Sequence, residues 1–204
     1  MSSRAADPAL TLALEGLSLG GQPILGALGL TVDRGETVAI AGPSGVGKTS
    51  LLRAIAGLEG GYRGTVTLPG RLACVFQEPT LLPWRTLVQN LRLTTGISDA
   101  VAEDWLRRVG LGGLGARFPG QISLGQQRRL SLARAFAHRP DVLLMDEPFV
   151  SLDPALADEM MSLFESLRSG SDIATVLVTH VESEALRLAS RVLRLGGRPA
   201  TFLA

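Results

Sequence analysis

The segment 38–52 reads V-A-I-A-G-P-S-G-V-G-K-T-S-L-L and combines an apolar strand, a glycine-rich loop and the start of a helix. It contains the spacing G-x-x-x-x-G-K-[ST], with Lys48 and Thr49 as its last two members. Glycine adopts positive φ easily and has no Cβ, so loop N–H groups and the helix N-terminus can surround phosphate oxygens. The pattern predicts that Lys48 binds the β and γ phosphates and that Thr49 ligates Mg²⁺. The predicted nucleotide-binding residues here are Gly42, Pro43, Ser44, Gly45, Val46, Gly47, Lys48, Thr49 and Ser50.

The use of basic residues supports this prediction. Lys48 is the single lysine among 20 basic residues, and all the others are arginine. A compact ammonium group fits among phosphates where the bulky guanidinium fork does not. The alternative is a glycine-rich turn with an incidental lysine.

Length and composition limit the possible classes of protein. A chain of 204 residues is expected to form one domain with a sizeable core. Its single cysteine, Cys74, lies in an apolar run and is predicted to be a buried thiol. A net charge of +1 without a basic tail gives no sign of nucleic-acid binding. The first residues lack an apolar signal core and no uncharged apolar run reaches the length of a membrane span, so a soluble, cytoplasmic chain is expected.

The order of apolar runs and breakers predicts an α/β fold. Strands are predicted at 10–19, 28–32 and 37–41, then at 64–68 and 72–76. Helical character follows from 78 to 139, including helices that begin after Ser98 and at Ser123. Continuous apolar strands return at 142–145 and 173–178, as in a buried parallel sheet. We therefore expect an α/β core made of 1–77 and 140–204, with an inserted helical subdomain at 78–139 and no C-terminal regulatory domain.

Two acidic residues end the strand V-L-L-M-D-E-P at 142–148. At the carboxyl edge of the sheet they would lie beside the phosphate loop. Asp146 is then predicted to hold Mg²⁺, and Glu147 to polarise the water that attacks the γ-phosphate. The alternative is a pair of helix-capping acids, which Pro148 disfavours by blocking the helix at that point.

Five motifs in this order resemble those of the ATP-binding subunit of an ABC transporter. They are the phosphate loop, Gln77 after a strand, I-S-L-G-Q at 122–126, S-L-D at 151–153, and T-H at 179–180. The resemblance spans roughly residues 10 to 195. It implies a P-loop NTPase core, with a RecA-like mixed sheet, an N-terminal antiparallel β portion and an inserted α-helical subdomain.

The resemblance also implies roles for individual residues. Ser123, Gly125 and Gln126 would meet the γ-phosphate of an ATP bound to the other subunit. Gln77 would sense Mg²⁺ and the attacking water, and His180 would contact the γ-phosphate. Asp153 would connect the two sites across the dimer, so it is counted with the nucleotide-binding residues. Leu124 departs from the family pattern, which has a small residue at that position.

The stretch 77–91, Q-E-P-T-L-L-P-W-R-T-L-V-Q-N-L, resembles importers of the nitrate, sulfonate and taurine group. Leu81, Leu82 and Trp84 form an apolar group in a proline-framed loop and would suit a groove for a short helix of a membrane partner. In the alternative interpretation these side chains pack inside the helical insert.

The expected function is that of an importer ATPase that binds ATP and Mg²⁺. Its expected partners are a second copy or a homologous subunit, a membrane permease that docks near residues 77–91, and, indirectly, a substrate-binding protein. We expect it on the inner face of the cell membrane through the permease. The alternatives are a non-transport ABC ATPase in DNA repair, translation or metallocluster assembly, and a small-molecule kinase.

One feature of the family is absent from this sequence. Members usually stack adenine on an aromatic residue upstream of the phosphate loop, but residues 10–41 contain no Phe, Tyr, Trp or His. Leu19 or Gly20 stands near the expected place. We therefore predict weak ATP binding with little preference over GTP.

Overall fold

The computed structural model describes residues 8–203, which contain ten strands and six α-helices. The strands are β1 (Leu10–Leu19), β2 (Gln22–Leu25), β3 (Leu28–Val32), β4 (Thr37–Ala41), β5 (Tyr62–Thr67), β6 (Leu72–Val75), β7 (Val142–Asp146), β8 (Ala174–Thr179), β9 (Arg191–Gly197) and β10 (Ala200–Phe202). The helices are α1 (Lys48–Ile55), α2 (Leu87–Thr95), α3 (Asp99–Arg108), α4 (Leu124–Ala137), α5 (Pro154–Arg168) and α6 (Glu182–Leu188). A short 3-10 helix covers Pro119–Gln121.

The chain divides into two compact units. The first contains residues up to 74, 141–147 and the segment from 170 onward, and the second contains 75–140 and 148–169. The helix α5 therefore belongs to the second unit together with α2, α3 and α4. The boundaries at 78 and 139 expected from the sequence remain a prediction.

A parallel sheet forms the centre of the first unit. The strand β4 pairs in parallel with β8 on one side and with β9 on the other, and β7 extends the sheet beyond β8. Every residue of β7 and β8 is buried, because both faces of this sheet are covered. Parallel strands end at the same edge, so Ala41, Asp146 and Thr179 all lie at one edge of the sheet.

The N-terminal strands form an antiparallel portion. The strand β1 pairs antiparallel with β2, β3 and β5, and its burial alternates along much of its length, as in a sheet with one covered face. The hairpin of β9 and β10 connects this portion to the parallel strands, because β10 pairs with both β9 and β2. The mixed sheet with an antiparallel N-terminal portion is as the sequence predicted.

The second unit is helical and has its own core. Helix α4 packs against α2, α3 and α5, and the rings of Phe136 and Phe164 meet edge to face with their centroids 6.1 Å apart. On α4, Leu130, Ala133 and Ala137 are buried. None of the helices over residues 8–203 is long and apolar enough to cross a membrane.

Several elements differ from the sequence-based expectation. The strand predicted at 64–68 runs over Tyr62–Thr67, and the one predicted at 72–76 ends at Val75. The strands β2, β9 and β10 and the helices α5 and α6 were not predicted, whereas α2 lies within the 78–139 region that was predicted to be helical. Two of these strands are short, and β9 has arginines at 191 and 194, so none of them carries an apolar pattern of its own. Their conformation depends on pairing with distant strands.

Candidate active site

The phosphate loop, residues 42–47, connects the end of β4 to the start of α1. Lys48 is buried and folds back across this loop, where its Nζ donates to the carbonyl oxygens of Gly42 at 2.9 Å and Pro43 at 3.0 Å. These contacts fix the curvature of the loop and hold the ammonium group inside it. The binding of a triphosphate by this loop remains a prediction.

At two positions of the loop, neighbouring atoms leave no room for a Cβ, which explains why these residues are glycines. Gly47 has φ 113°, and a Cβ there would lie 2.8 Å from Cδ2 of Leu25. A Cβ on Gly42 would lie 2.5 Å from the carbonyl oxygen of Leu195. Gly47 caps α1 without a side-chain hydrogen bond, so the first N–H groups of this helix are available to an anion.

Asp146 lies at the end of β7, and Oγ1 of Thr49 donates to its Oδ1 at 3.1 Å. Burial raises the pKa of Asp146, and the nearby charge of Glu147 adds to this effect, while the Thr49 hydroxyl opposes it. A buried carboxylate beside a hydroxyl provides the oxygen ligands that Mg²⁺ prefers. Within residues 8–203 no group of three or more His, Cys, Asp or Glu could hold a metal ion by itself.

Glu147 occupies the centre of the site. Its backbone adopts φ 46°, which is uncommon for a residue other than glycine, and its N–H donates to the carbonyl oxygen of Val178 at 2.9 Å. Its Oε1 lies 3.4 Å from Nζ of Lys48, and its Oε2 lies 3.2 Å from Nδ1 of His180. Strained backbone of this kind costs about 1–3 kcal/mol and is concentrated at functional sites.

His180 follows β8 and has a side chain that is 41% exposed. Behind it lies a buried carboxyl group that sequence reasoning missed. Oγ1 of Thr179 donates to Oε2 of Glu184 at 2.5 Å and accepts from the N–H of Val181 at 3.0 Å. These bonds fix the turn that carries His180. Burial raises the pKa of Glu184, and the nearby charge of Glu147 acts in the same direction, whereas the Thr179 hydroxyl and His180 oppose the shift. Nothing in the local sequence distinguishes Glu184 from Glu182, the exposed glutamate of the same helix.

The first unit thus brings together five of the predicted residues. They are Lys48, Thr49, Asp146, Glu147 and His180. The rest of the phosphate loop and Ser50 also belong to this unit, whereas five predicted residues lie in the second unit, namely Gln77, Ser123, Gly125, Gln126 and Asp153.

The signature segment, residues 122–126, forms a capped helix start. Oγ of Ser123 accepts from the N–H of Gln126 at 3.2 Å, and the Gln126 side chain accepts from the N–H of Ser123 at 3.0 Å. Gly125 is buried, and a Cβ there would come within 3.0 Å of Leu156. Leu124 is 51% exposed, so the departure from the family pattern is on the surface of this unit.

Arg128, one turn further along α4, is a second residue that the sequence did not reveal. It is buried, and its Nη1 donates to the carbonyl oxygens of Pro148 at 3.3 Å and Val150 at 2.7 Å. These bonds connect α4, the helix that begins in the signature segment, to the segment that precedes Asp153. Asp153 caps α5 by accepting from the N–H of Leu156 at 3.0 Å. Gln77 is exposed, two residues beyond the end of β6.

One further sequence prediction, that of Cys74, concerns a residue outside the site. Cys74 is half-buried, and burial raises its pKa to about 11, so it remains a protonated, unreactive thiol. His138 is the C-cap residue of α4.

Fold and site together define a phosphate-loop NTPase. The family description "ABC transporter" matches residues 25–150. The chain is 39% identical over 200 residues to the aliphatic sulfonates import ATP-binding protein SsuB 1 of Pseudomonas syringae pv. syringae, which covers 95% of this chain and 83% of that protein. It is 44% identical over 178 residues to SsuB 1 of Rhodococcus jostii, and this match covers 84% of this chain and 73% of that protein. The chain therefore belongs to the ABC transporter family.

A solved structure supports the same assignment. The dimeric ATP-binding cassette MJ0796, in a post-hydrolysis state bound to ADP and Pi, matches with a TM-score of 0.82 and 26% identity, over 96% of this chain and 97% of that one. The chain is thus an ATP-binding ATPase with the ABC fold. The resemblance, fold class and enzyme class expected from the sequence are confirmed.

Proposed function

We propose that this ATPase powers an importer of aliphatic sulfonates, with Glu147 as the general base of ATP hydrolysis. The observation that carries the chemistry is the position of Glu147, whose two carboxylate oxygens contact Lys48 and His180 beside the phosphate loop. The importer and its substrate class come from the names of the relatives.

Each functional residue of the first unit is assigned a separate role in ATP hydrolysis. Lys48 and the loop N–H groups hold the β and γ phosphates, and His180 meets the γ-phosphate at the other side of Glu147. Glu147 orients water and accepts its proton as the water attacks phosphorus. Thr49 and Asp146 are the residues that would hold Mg²⁺, which when bound neutralises phosphate charge. Gln77 is assigned to sensing this cation and the water.

The second unit supplies residues for a partner. We assign Ser123, Gly125 and Gln126, at the start of α4, to the γ-phosphate on the opposite subunit. Asp153 is assigned to the contact between the two sites. ATP then favours the closed pair of subunits, and hydrolysis with product release reopens it, so that the permease receives the energy as domain motion. A second copy and a homologous subunit would both provide this arrangement.

The docking loop, residues 77–91, is proposed to contact the permease on the cytoplasmic side of the membrane. Trp84 is 68% exposed, so it does not pack inside the helical unit. The buried side chain of Asn90 holds the segment that carries Trp84 in place through hydrogen bonds. Its Nδ2 donates to the carbonyl oxygens of Leu82, Arg85 and Thr86 at 3.0–3.1 Å, and its Oδ1 accepts from the N–H of Leu82 at 2.8 Å.

A rigid loop that presents a large apolar side chain loses little conformational entropy on binding, which suits a docking contact. The other end of the loop is also anchored. Arg134 donates to the carbonyl oxygens of Pro79 and Thr80 and to the Thr80 hydroxyl, at 2.8–3.0 Å. These contacts hold the loop on both sides of Trp84.

Co-purification with the membrane partner followed by reconstitution tests this proposal. Vesicles containing the permease, this subunit and the substrate-binding protein should take up a radiolabelled alkanesulfonate in the presence of internal ATP. Nitrate and taurine serve as competing substrates, and the Glu147→Gln variant serves as the inactive control. Uptake of nitrate instead would reject the sulfonate assignment, whereas uptake of taurine alone would restrict it to aminoalkanesulfonates. ATP-dependent phosphorylation of a small acceptor would favour the kinase alternative.

A further inference from the structure

A cavity of about 630 Å³ adjoins the phosphate loop within the first unit. It is lined by residues 22–24 of β2, by 43–46 of the loop and by 197–198 at the tip of the β9–β10 hairpin. Among the described residues that line it, Arg198 is the only charged one, and no carboxylate is present. This cavity has the size of a small-molecule site.

A second cavity distinguishes the two ends of a bound nucleotide. It measures about 530 Å³, also borders the loop at residues 41–44, and contains His180. Because His180 contacts Glu147, this second cavity lies at the γ-phosphate end. His180 does not line the 630 Å³ cavity, which borders the loop at 43–46 instead, so we place this cavity at the end where the nucleoside leaves the phosphate loop.

The backbone that carries Arg198 is fixed beside the loop. The Gly42 position lies so close to Leu195 of β9 that a Cβ would approach the Leu195 carbonyl oxygen to 2.5 Å. Beyond the turn, the N–H of Gly26 donates to the carbonyl oxygen of Ala200 at 2.8 Å, which ties the hairpin to the end of β2. Arg198 lies between these two attachments, so its Cα has little freedom to move away from the cavity.

We propose that Arg198 is the stacking platform for the nucleobase, in place of the aromatic side chain that residues 10–41 lack. The proposal rests on the function proposed above. A guanidinium group is planar, weakly hydrated and stacks on aromatic faces, which an ammonium group does not do. Ile24 and Val46 line the same cavity and offer apolar surface to the base and the ribose.

This mode of binding also determines base preference. Every base has a π face, so stacking on a guanidinium tolerates a change of base. Arg198 should therefore contribute equally to ATP and GTP. Inorganic tripolyphosphate carries no base, so its binding affinity should not depend on Arg198.

The test compares binding of ATP, GTP and tripolyphosphate, each with Mg²⁺, to the parent chain and to three variants by calorimetric titration. Arg198→Ala should weaken ATP and GTP alike by about tenfold, as expected for the loss of one stacking contact, and should leave tripolyphosphate unchanged. Arg198→Lys keeps the charge without the plane and should lose most of the same affinity. Arg63→Ala removes an arginine that is 80% exposed on β5 and should match the parent throughout.

The other outcomes would contradict either the stacking role of Arg198 or the proposed function, and the pattern of affinities shows which. Unchanged ATP affinity in Arg198→Ala, or full affinity in Arg198→Lys, would overturn the stacking role. An equal loss of tripolyphosphate would show that Arg198 acts on phosphate through its charge. Retained tripolyphosphate binding confirms that the variants are folded. If the parent binds tripolyphosphate but neither nucleotide, the proposed function fails instead.

Discussion

The ammonium group of Lys48 lies 3.4 Å from Oε1 of Glu147, so the residue assigned to phosphate and the residue assigned to water form one ion pair. His180 contacts the other carboxylate oxygen at 3.2 Å. Glu147 is thus held from both sides in a backbone conformation of φ 46°. These neighbours hold the carboxylate in a fixed position, which would reduce the reorganisation required of the proposed general base.

Glu147→Gln should keep ATP binding and stop turnover. The amide fills the same space but cannot accept a proton, so kcat should fall by about 10²–10⁴-fold. A dimer should accumulate with ATP and be visible by size-exclusion chromatography. Hydrolysis at the parental rate would remove Glu147 from the role of base.

Lys48→Ala should weaken ATP binding by about ten- to a hundredfold, because charge-assisted hydrogen bonds contribute about 1.5–3 kcal/mol each. The variant also leaves the carbonyl oxygens of Gly42 and Pro43 without the Nζ donor. A titration with ATP measures the change. Unaltered affinity would contradict the phosphate-loop assignment.

Trp84→Ala should leave the isolated subunit folded and active as an ATPase but uncouple it from transport. The reason is its exposure on a loop that Asn90 holds in place without it. Uptake by reconstituted vesicles is the measurement. Leu93→Ala, which removes another exposed apolar side chain of the same unit, is the control. A variant that fails to fold would place Trp84 in the core.

Glu184→Gln should stabilise the protein at neutral pH. Burial raises the pKa of Glu184, so the folded state binds its proton more tightly than the unfolded state. The free energy of unfolding therefore decreases as pH rises from the ordinary carboxyl pKa to the raised one, and the penalty is complete above it. The glutamine variant avoids this cost and can still accept from the Thr179 hydroxyl.

Urea unfolding measures this difference. The midpoint of Glu184→Gln should exceed that of the parent at neutral pH and converge with it below the ordinary carboxyl pKa. Glu15→Gln, at a side chain that is 74% exposed, should show no such pH-dependent difference. A lower midpoint for the buried variant at neutral pH would contradict the burial argument.

Leu19→Tyr should tighten binding of ATP. Stacking on an aromatic ring contributes about 1–3 kcal/mol per base in nucleic-acid sites, which corresponds to about one to two decades. Gly20, the other position near the expected place, is unsuitable because its φ of 56° would strain a tyrosine. A competition assay with GTP measures the preference. A parent chain that already prefers ATP by a hundredfold would show that another residue reads adenine.

The amino-acid sequence by itself determined those features that depend on neighbouring residues. The spacing of Gly42, Gly47 and Lys48 specifies a strand, a loop and a helix because each step is local along the backbone. The same holds for the caps at Ser98 and Ser123, whose side chains bond to N–H groups three residues away. The strand that ends in Asp146 was predictable because it is a continuous apolar run.

Only the tertiary structure decided which of these residues meet. Lys48, Glu147 and His180 come from three segments, and their contact depends on the parallel register of β4, β8 and β7, which no local pattern contains. Glu184, Arg128 and Arg198 acquire their roles from burial or from a neighbouring strand, so their sequence context does not mark them. Likewise, the exposure of Trp84 depends on how the Asn90 side chain folds the preceding loop. Strand pairing and side-chain burial bring together residues that are distant along the chain. The stabilisation that they provide therefore exists only in the folded protein and cannot be read from a local sequence pattern.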